Sequence, residues 1–134
     1  MNLKSIATYL EDQGLGTQGT DLFINYMPPD AATGILLREP MGGSQIDWDL
    51  PGFIKTSFQL VVRTQVYQDG VDQINAVTTA LHTGLKGGTV VAETQWNYAR
   101  PRHEPFASAP TPGRATEFLV NMDVCYVDGG YAAV

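Results

Sequence analysis

Cysteine is nearly absent from this chain. Cys125 is the only one in 134 residues, so no intrachain disulfide can form and the fold has to rest on a packed core. Cys125 falls in a predicted strand, where a half-buried thiol is the ordinary finding, and no histidine or basic residue stands close in sequence to activate it. Basic charge is also scarce, with 8 Lys and Arg against 14 Asp and Glu, a net of −6. That balance excludes a module that grips nucleic acid by neutralising phosphates, which requires a basic stripe. It leaves room for a protein that nucleic acid must pass without sticking. Only two histidines are present, His82 and His103, too few to join into a metal site with the spacing zinc requires. No apolar run approaches the length of a bilayer span, and the N-terminal MNLKSIATYLEDQ lacks a signal peptide's apolar centre. The expectation is a soluble protein, intracellular when made.

What the sequence does contain is periodicity. From Gly52 to Val66 every second residue is Ile54, Thr56, Phe58, Leu60, Val62, Thr64 and Val66, against Lys55, Ser57, Gln59, Arg63 and Gln65. This is a long strand with one covered face and one wet face. From Tyr67 to Leu85 the period becomes helical, with Val71, Ile74, Val77, Leu81 and Leu85 on one stripe. Asp69 is placed as its N-cap with Asp72 three residues on, and Gly84, Gly87 and Gly88 supply the stop. Leu3, Ile6, Ala7 and Leu10 predict a first helix ending at Gly14 and Gly16. Asp21 to Met27 reads as a strand closed by Pro28 and Pro29, and Gly34 to Arg38 as a short strand able to pair with it as a hairpin. Thr89 to Ala99 alternates as one strand with Val90, Ala92, Thr94, Trp96 and Tyr98 on one side. Ala115 to Val127 alternates as its antiparallel partner, with Phe118, Val120, Met122, Val124 and Tyr126 inward. The predicted fold class is α+β: a mostly antiparallel sheet of about four to five strands, two helices packed on one face, and two long loops. Length predicts one domain over residues 1–134, with 128–134 as a flexible tail.

The two loops carry the residues that the core does not use. Pro40 to Gly52 is rich in breakers and holds Asp47, Trp48 and Asp49 together; a dozen unpatterned residues suit a binding loop, while Trp48 could equally fold back over the core edge. Arg100 to Arg114 contains half of the eight prolines and the cations Arg100, Arg102 and Arg114, with His103 among them. It can be neither strand interior nor helix, and it reads either as a stiff projection suited to an acidic neighbouring surface or a phosphate backbone, or equally as an ordinary solvated hairpin loop. Phe53, Val61 and Leu119 fall on the nominally wet strand faces and are candidate contacts for other subunits. No catalytic constellation is present. The glycines of GLGTQGT follow a helix and precede a strand, the reverse of a phosphate cradle, and there is no Walker loop, serine elbow or metal spacing. The residues therefore predict a non-enzymatic domain with no cofactor.

In their order, a helix, then TDLFINYMPPD, a short apolar strand, Gly42-Gly43, Pro51-Gly52-Phe53 leading into the long strand, a helix reaching Ala80-Leu81-His82, and two last strands, these segments span nearly the whole chain. That order resembles the tail terminator proteins of long-tailed bacteriophages, sometimes called minor capsid proteins. The resemblance implies an α+β subunit that assembles with itself into a ring, typically a hexamer, on the end of the tail tube. Such a ring stops tube polymerisation and presents a surface to the head-completion or neck protein. The implied partners are further copies of the chain, the tail tube protein and the neck protein, with DNA passing through the ring without sequence-specific binding. No membrane is implied, and no catalytic, cofactor or metal residue carries over. The implied location is the virion, at the head–tail junction, after assembly in the host cytoplasm. Two alternatives stand beside it: a neck or head-completion protein, and a small-molecule binding domain or enzyme using the cleft under the Pro40 to Gly52 loop.

Overall fold

The computed structural model describes residues 3–40, 42–43, 49–50, 52–108 and 115–128. Its centre is a pair of long antiparallel strands, β3 (Phe53–Thr64) and β7 (Thr116–Asp128), in register from Phe53↔Val127 to Thr64↔Thr116. Period-two alternation puts Phe58, Leu60 and Val62 on the same side as Phe118, Val120, Met122, Val124 and Tyr126, and all of these are buried. Two helices cover that side, α1 (Leu3–Asp12) and α2 (Tyr67–Gly84). Leu3, Ile6 and Leu10 of α1 and Ile74, Val77 and Leu81 of α2 join the strand residues in one core. Each such burial contributes about 1.5–3 kcal/mol, enough to hold a ten-residue helix that would be marginal alone. α1 ends where the sequence predicts: Gly14 takes φ 75, and Leu15 N–H returns to Leu10 O at 3.0 Å.

The α+β class holds, but the sheet is larger than expected and mixed. Seven strands are present among the described residues: β1 (Leu22–Ile24), β2 (Gly34–Arg38), β3, β4 (Thr89–Val91), β5 (Thr94–Pro101), β6 (Phe106–Ala107) and β7. They run in the order β1-β2-β3-β7-β5-β4, with β6 also on β7, beside Leu119 and Phe118. The first two strands do not form the expected hairpin. They lie parallel, Leu22↔Ile35 to Ile24↔Leu37. The reason is local: Asn25, at φ 63, leaves the strand after only three residues, and the chain then doubles back over the outer face of the sheet. Met27 is buried there against Leu36 and Val61, with Phe23, Ala31 and Leu119 around it. Arg63 fixes this cover. Its guanidinium donates to Pro28 O at 2.9 Å and Ala31 O at 3.2 Å, and pairs with Glu117 at 3.0 Å.

The stretch from Thr89 to Ala99 is not one strand either. Ala92 and Glu93 adopt φ 46 and φ 67, and the chain reverses tightly so that Val91 faces Thr94. Two central residues at positive φ match the twist of a two-residue hairpin, yet neither is of the type that accepts that conformation cheaply. Ala92→Asn with Glu93→Gly is expected to stabilise the fold by about 1–2 kcal/mol, read as a higher urea midpoint at unchanged slope. An unchanged midpoint would show that this turn carries no strain.

Farther along, the register of β5 on β7 shifts between Trp96↔Tyr126 and Tyr98↔Cys125. The extra residue, Asn97, forms a bulge that reverses the phase of the strand. Trp96 is buried as predicted, but Ala99 and not Tyr98 takes the next inward position, and Tyr98 turns to the outer face. At the start of α2 the N-cap is Val66, extended and without a side-chain cap, so Asp69 is a first-turn carboxylate and not the cap. Val66, predicted inward, is 55% exposed.

Candidate functional site

The sheet has two unlike faces. Helices roof one. The Met27 segment covers only part of the other, and beyond it β3, β7 and β5 present side chains to solvent. Val61, expected to be exposed, is buried under that segment, and Leu119 is half-buried beside it. The apolar residues on the outward phase of β2, β3 and β7 therefore cover themselves with their own chain.

The uncovered part is basic. Lys55, Tyr98, Arg100, Arg102 and Asp123 surround a shallow depression of about 400 Å³, floored by Thr56, Ser57 and Val124 and edged by Gly43. Arg100 lies with Cζ 4.2 Å from the Tyr98 ring centroid, and Lys55 Nζ is 5.9 Å from that of Phe53. Arg102 forks onto Asp123, Nη2 at 2.7 Å and Nε at 3.1 Å from Oδ1. These hydrogen bonds first, and the carboxylate charge second, raise the Arg102 pKa above its ordinary value. Among the described residues no carboxylate pairs with Lys55 or Arg100. The bulge at Asn97 creates this cluster, because it aims Tyr98 and Arg100 outward beside Lys55 and Asp123.

The described part of the arginine-rich segment, residues 100–108, runs along β7 and is partly strand, which its prolines argued against. Pro101 ends β5, where its missing N–H falls at a strand end, and Arg102 N–H donates to Asn121 O at 2.8 Å. His103 Nε2 accepts the Asn121 backbone N–H at 3.2 Å, and its Nδ1 lies 2.8 Å from Glu104 O. Phe106 and Ala107 then rejoin β7 as β6. So Arg100 and Arg102 share one depression, His103 lies farther along β7 against Asn121 and the Phe106 ring, and Leu119 belongs to the covered end. Asp49 is exposed, and Phe53 is half-buried at the head of β3. Asp47, Trp48 and Arg114 lie outside the described residues. Sequence reasoning missed Lys55 and Tyr98. Lys55 was legible as an outward residue, but only the bulge puts Tyr98 next to it.

Two further surfaces flank α2. Tyr67 and Phe106, 61% and 52% exposed, edge a groove of about 370 Å³ with Val71, Ile74, Pro105 and Phe118. Nearer β1, Asp21 and Asp69 line a hollow of about 300 Å³ with Thr33, Thr64, Val66 and Gln73. No group of three or more His, Cys, Asp or Glu side chains able to hold a metal occurs among the described residues. No described helix is long and apolar enough to cross a membrane. These surfaces combine Tyr, Phe and Arg with polar side chains around open hollows, a composition suited to protein contacts.

A family model described as bacteriophage tail terminator protein matches residues 9–101. No curated protein matches the sequence. Among solved structures, a chain from the virion of a native gene transfer agent particle superposes with a TM-score of 0.59 at 14% identity. The superposition covers 92% of this chain and 93% of that one, a likeness of fold.

Proposed function

Because the chain belongs to the bacteriophage tail terminator family, structural proteins of the virion tail, we propose that it forms a ring, a hexamer, that caps the tail tube. The ring stops tube polymerisation and offers its other side to the head-completion protein. The observation that carries this reading is the family match over residues 9–101. The fold shared with a chain of a gene transfer agent virion supports it. The surface also supports it: Tyr67, Phe106, Arg100 and Arg102 are exposed at the rims of open hollows, the side-chain types that protein contacts favour. A net charge of −6 suits a subunit past which DNA must move, since an attractive wall would hold the polymer. The candidate contacts are Asp47, Trp48 and Asp49, which precede β3 in sequence, Phe53 at its first position, Arg100 near the end of β5, Arg102 and His103 just after it, Arg114, which precedes β7 in sequence, and Leu119 where it stays half-exposed beside the Met27 segment.

Loss of the gene tests this reading. Overlong tails or free polytubes are the expected result in electron micrographs of lysates. Tails of normal length, unattached to filled heads, would overturn the proposal in favour of a neck protein.

A further inference from the structure

Basic charge in this chain is not spread evenly. Arg38, Lys55, Arg63, Arg100 and Arg102 all belong to the outer side of the sheet or its rim, although the chain as a whole carries −6. Arg63 is used up by Glu117 and the Met27 segment. Lys55, Arg100 and Arg102 remain at the surface, with Asp123 as the one carboxylate among them. The complementary surface is on the helical side and toward the opposite edge of the sheet. There the start of α2 bears Asp69 and Asp72, both exposed, and Asp69 shares a hollow with Asp21 and the exposed Val66.

We propose that the Lys55–Tyr98–Arg100–Arg102 surface of one copy docks on the α2 start of the next, around Asp21, Asp69 and Asp72, and so forms the joint between neighbouring subunits. This rests on the ring reading and names the surfaces that make the ring. Three observations favour a second copy as the occupant. The two surfaces are opposite in charge, which steers and orients association. They lie on opposite faces of the sheet and toward opposite edges, β5 for the basic surface and β1–β2 for the acidic one. A two-fold dimer through either surface would set like charge against like, whereas a head-to-tail contact satisfies both and repeats until it closes. The cations are also pre-oriented, Arg100 on Tyr98 and Arg102 on Asp123, so less side-chain freedom is lost on docking. A phosphate backbone fits less well, because a cluster with a net of only two positive charges releases few counterions.

Complementary charge reversal tests the proposal. Lys55→Glu/Arg100→Glu and, separately, Asp69→Lys/Asp72→Lys are purified, their folding is checked by circular dichroism, and mass is measured by light scattering across concentration and salt. Wild type should associate at low salt and less so at about 0.5 M, where screening is short-ranged. Each charge-reversed variant should associate roughly tenfold or more weakly, and an equimolar mixture of the two should recover the assembly. Four results would overturn the inference. They are a folded Lys55→Glu/Arg100→Glu variant that assembles like wild type, no recovery on mixing, a wild type that stays monomeric throughout, and wild-type binding to duplex DNA that is lost in that variant with its mass unchanged. The tail-length phenotype is scored apart from these. Normal assembly of the variant with overlong tails in the deletion would leave the ring standing and remove only this joint.

Discussion

Trp96→Ala should lower the stability of the folded chain by about 3–5 kcal/mol, a large part of the roughly 5–15 kcal/mol that holds a domain of this size. Trp96 is completely buried, and its ring meets Tyr126 at 4.8 Å between centroids, tilted by 44°. Its Nε1–H donates to Ser5 Oγ at 3.1 Å, and the Ser5 hydroxyl donates to Val91 O at 2.9 Å. One side chain thus joins β5 to β7 by ring packing and to α1 and β4 by hydrogen bonds. The loss has two parts, the cavity left by the indole and the acceptor left on buried Ser5. Trp96→Phe separates them, because it keeps most of the volume and removes only the donor, and should cost about 1–3 kcal/mol. Urea unfolding followed by far-ultraviolet circular dichroism measures both. A Trp96→Ala loss below about 1 kcal/mol would mean that this corner of the core carries little.

The second large effect runs against helix propensity. Gly70 is inside α2, where alanine is ordinarily favoured by about 1 kcal/mol. Here a Cβ would fall 2.3 Å from Phe118 Cε2 and 2.6 Å from Thr64 Oγ1. Neither neighbour can give way cheaply. The Phe118 ring is packed against Tyr67 at 5.2 Å, and the Thr64 hydroxyl donates to Val66 O at 3.0 Å. Overpacking costs of about 1–3 kcal/mol therefore exceed the propensity gain, and Gly70→Ala should be destabilising, with tail assembly falling as folded protein is lost. Combining it with Phe118→Leu should recover part of the deficit in a double-mutant cycle, since the second change removes the ring the methyl meets. A stabilised Gly70→Ala protein would show that α2 can stand off from β7.

The elements legible in the sequence are those whose pattern is set by a single buried face. β3 and β7 alternate over their whole length against one core, and α1 and α2 each lay one stripe on it, so period alone located Phe58, Leu60, Val62, Phe118 and Val120. What escaped depends on contacts between distant residues or on backbone states the residue types do not announce. Ala92 and Glu93 are poor advertisements for a reversal. The parallel pairing of β1 relies on Met27 packing on Leu36 and Val61 and on Arg63 holding the returning chain. A hint was present in the outward-phase Leu36, Val61 and Leu119, three apolar residues brought side by side by the strand order, which require a cover. Of the candidate contacts, Arg100 and Arg102 were visible by composition alone. Their grouping with Lys55 and Tyr98 was not, because it follows from an inserted residue in β5.

That inserted residue makes the chain unequally sensitive to loss and gain of length. Without Asn97, Trp96 and Tyr98 would be neighbours in an unbroken ladder, and Tyr98 would still face Cys125 and Arg100 still face Asp123. Drawing Asn97 into the ladder, or adding one residue between Tyr98 and Arg100, would instead set Arg100 opposite a residue of the helical side such as Met122, where an unpaired cation is not tolerated. The end of β5 therefore accepts a deletion at this point more readily than an unbulged addition.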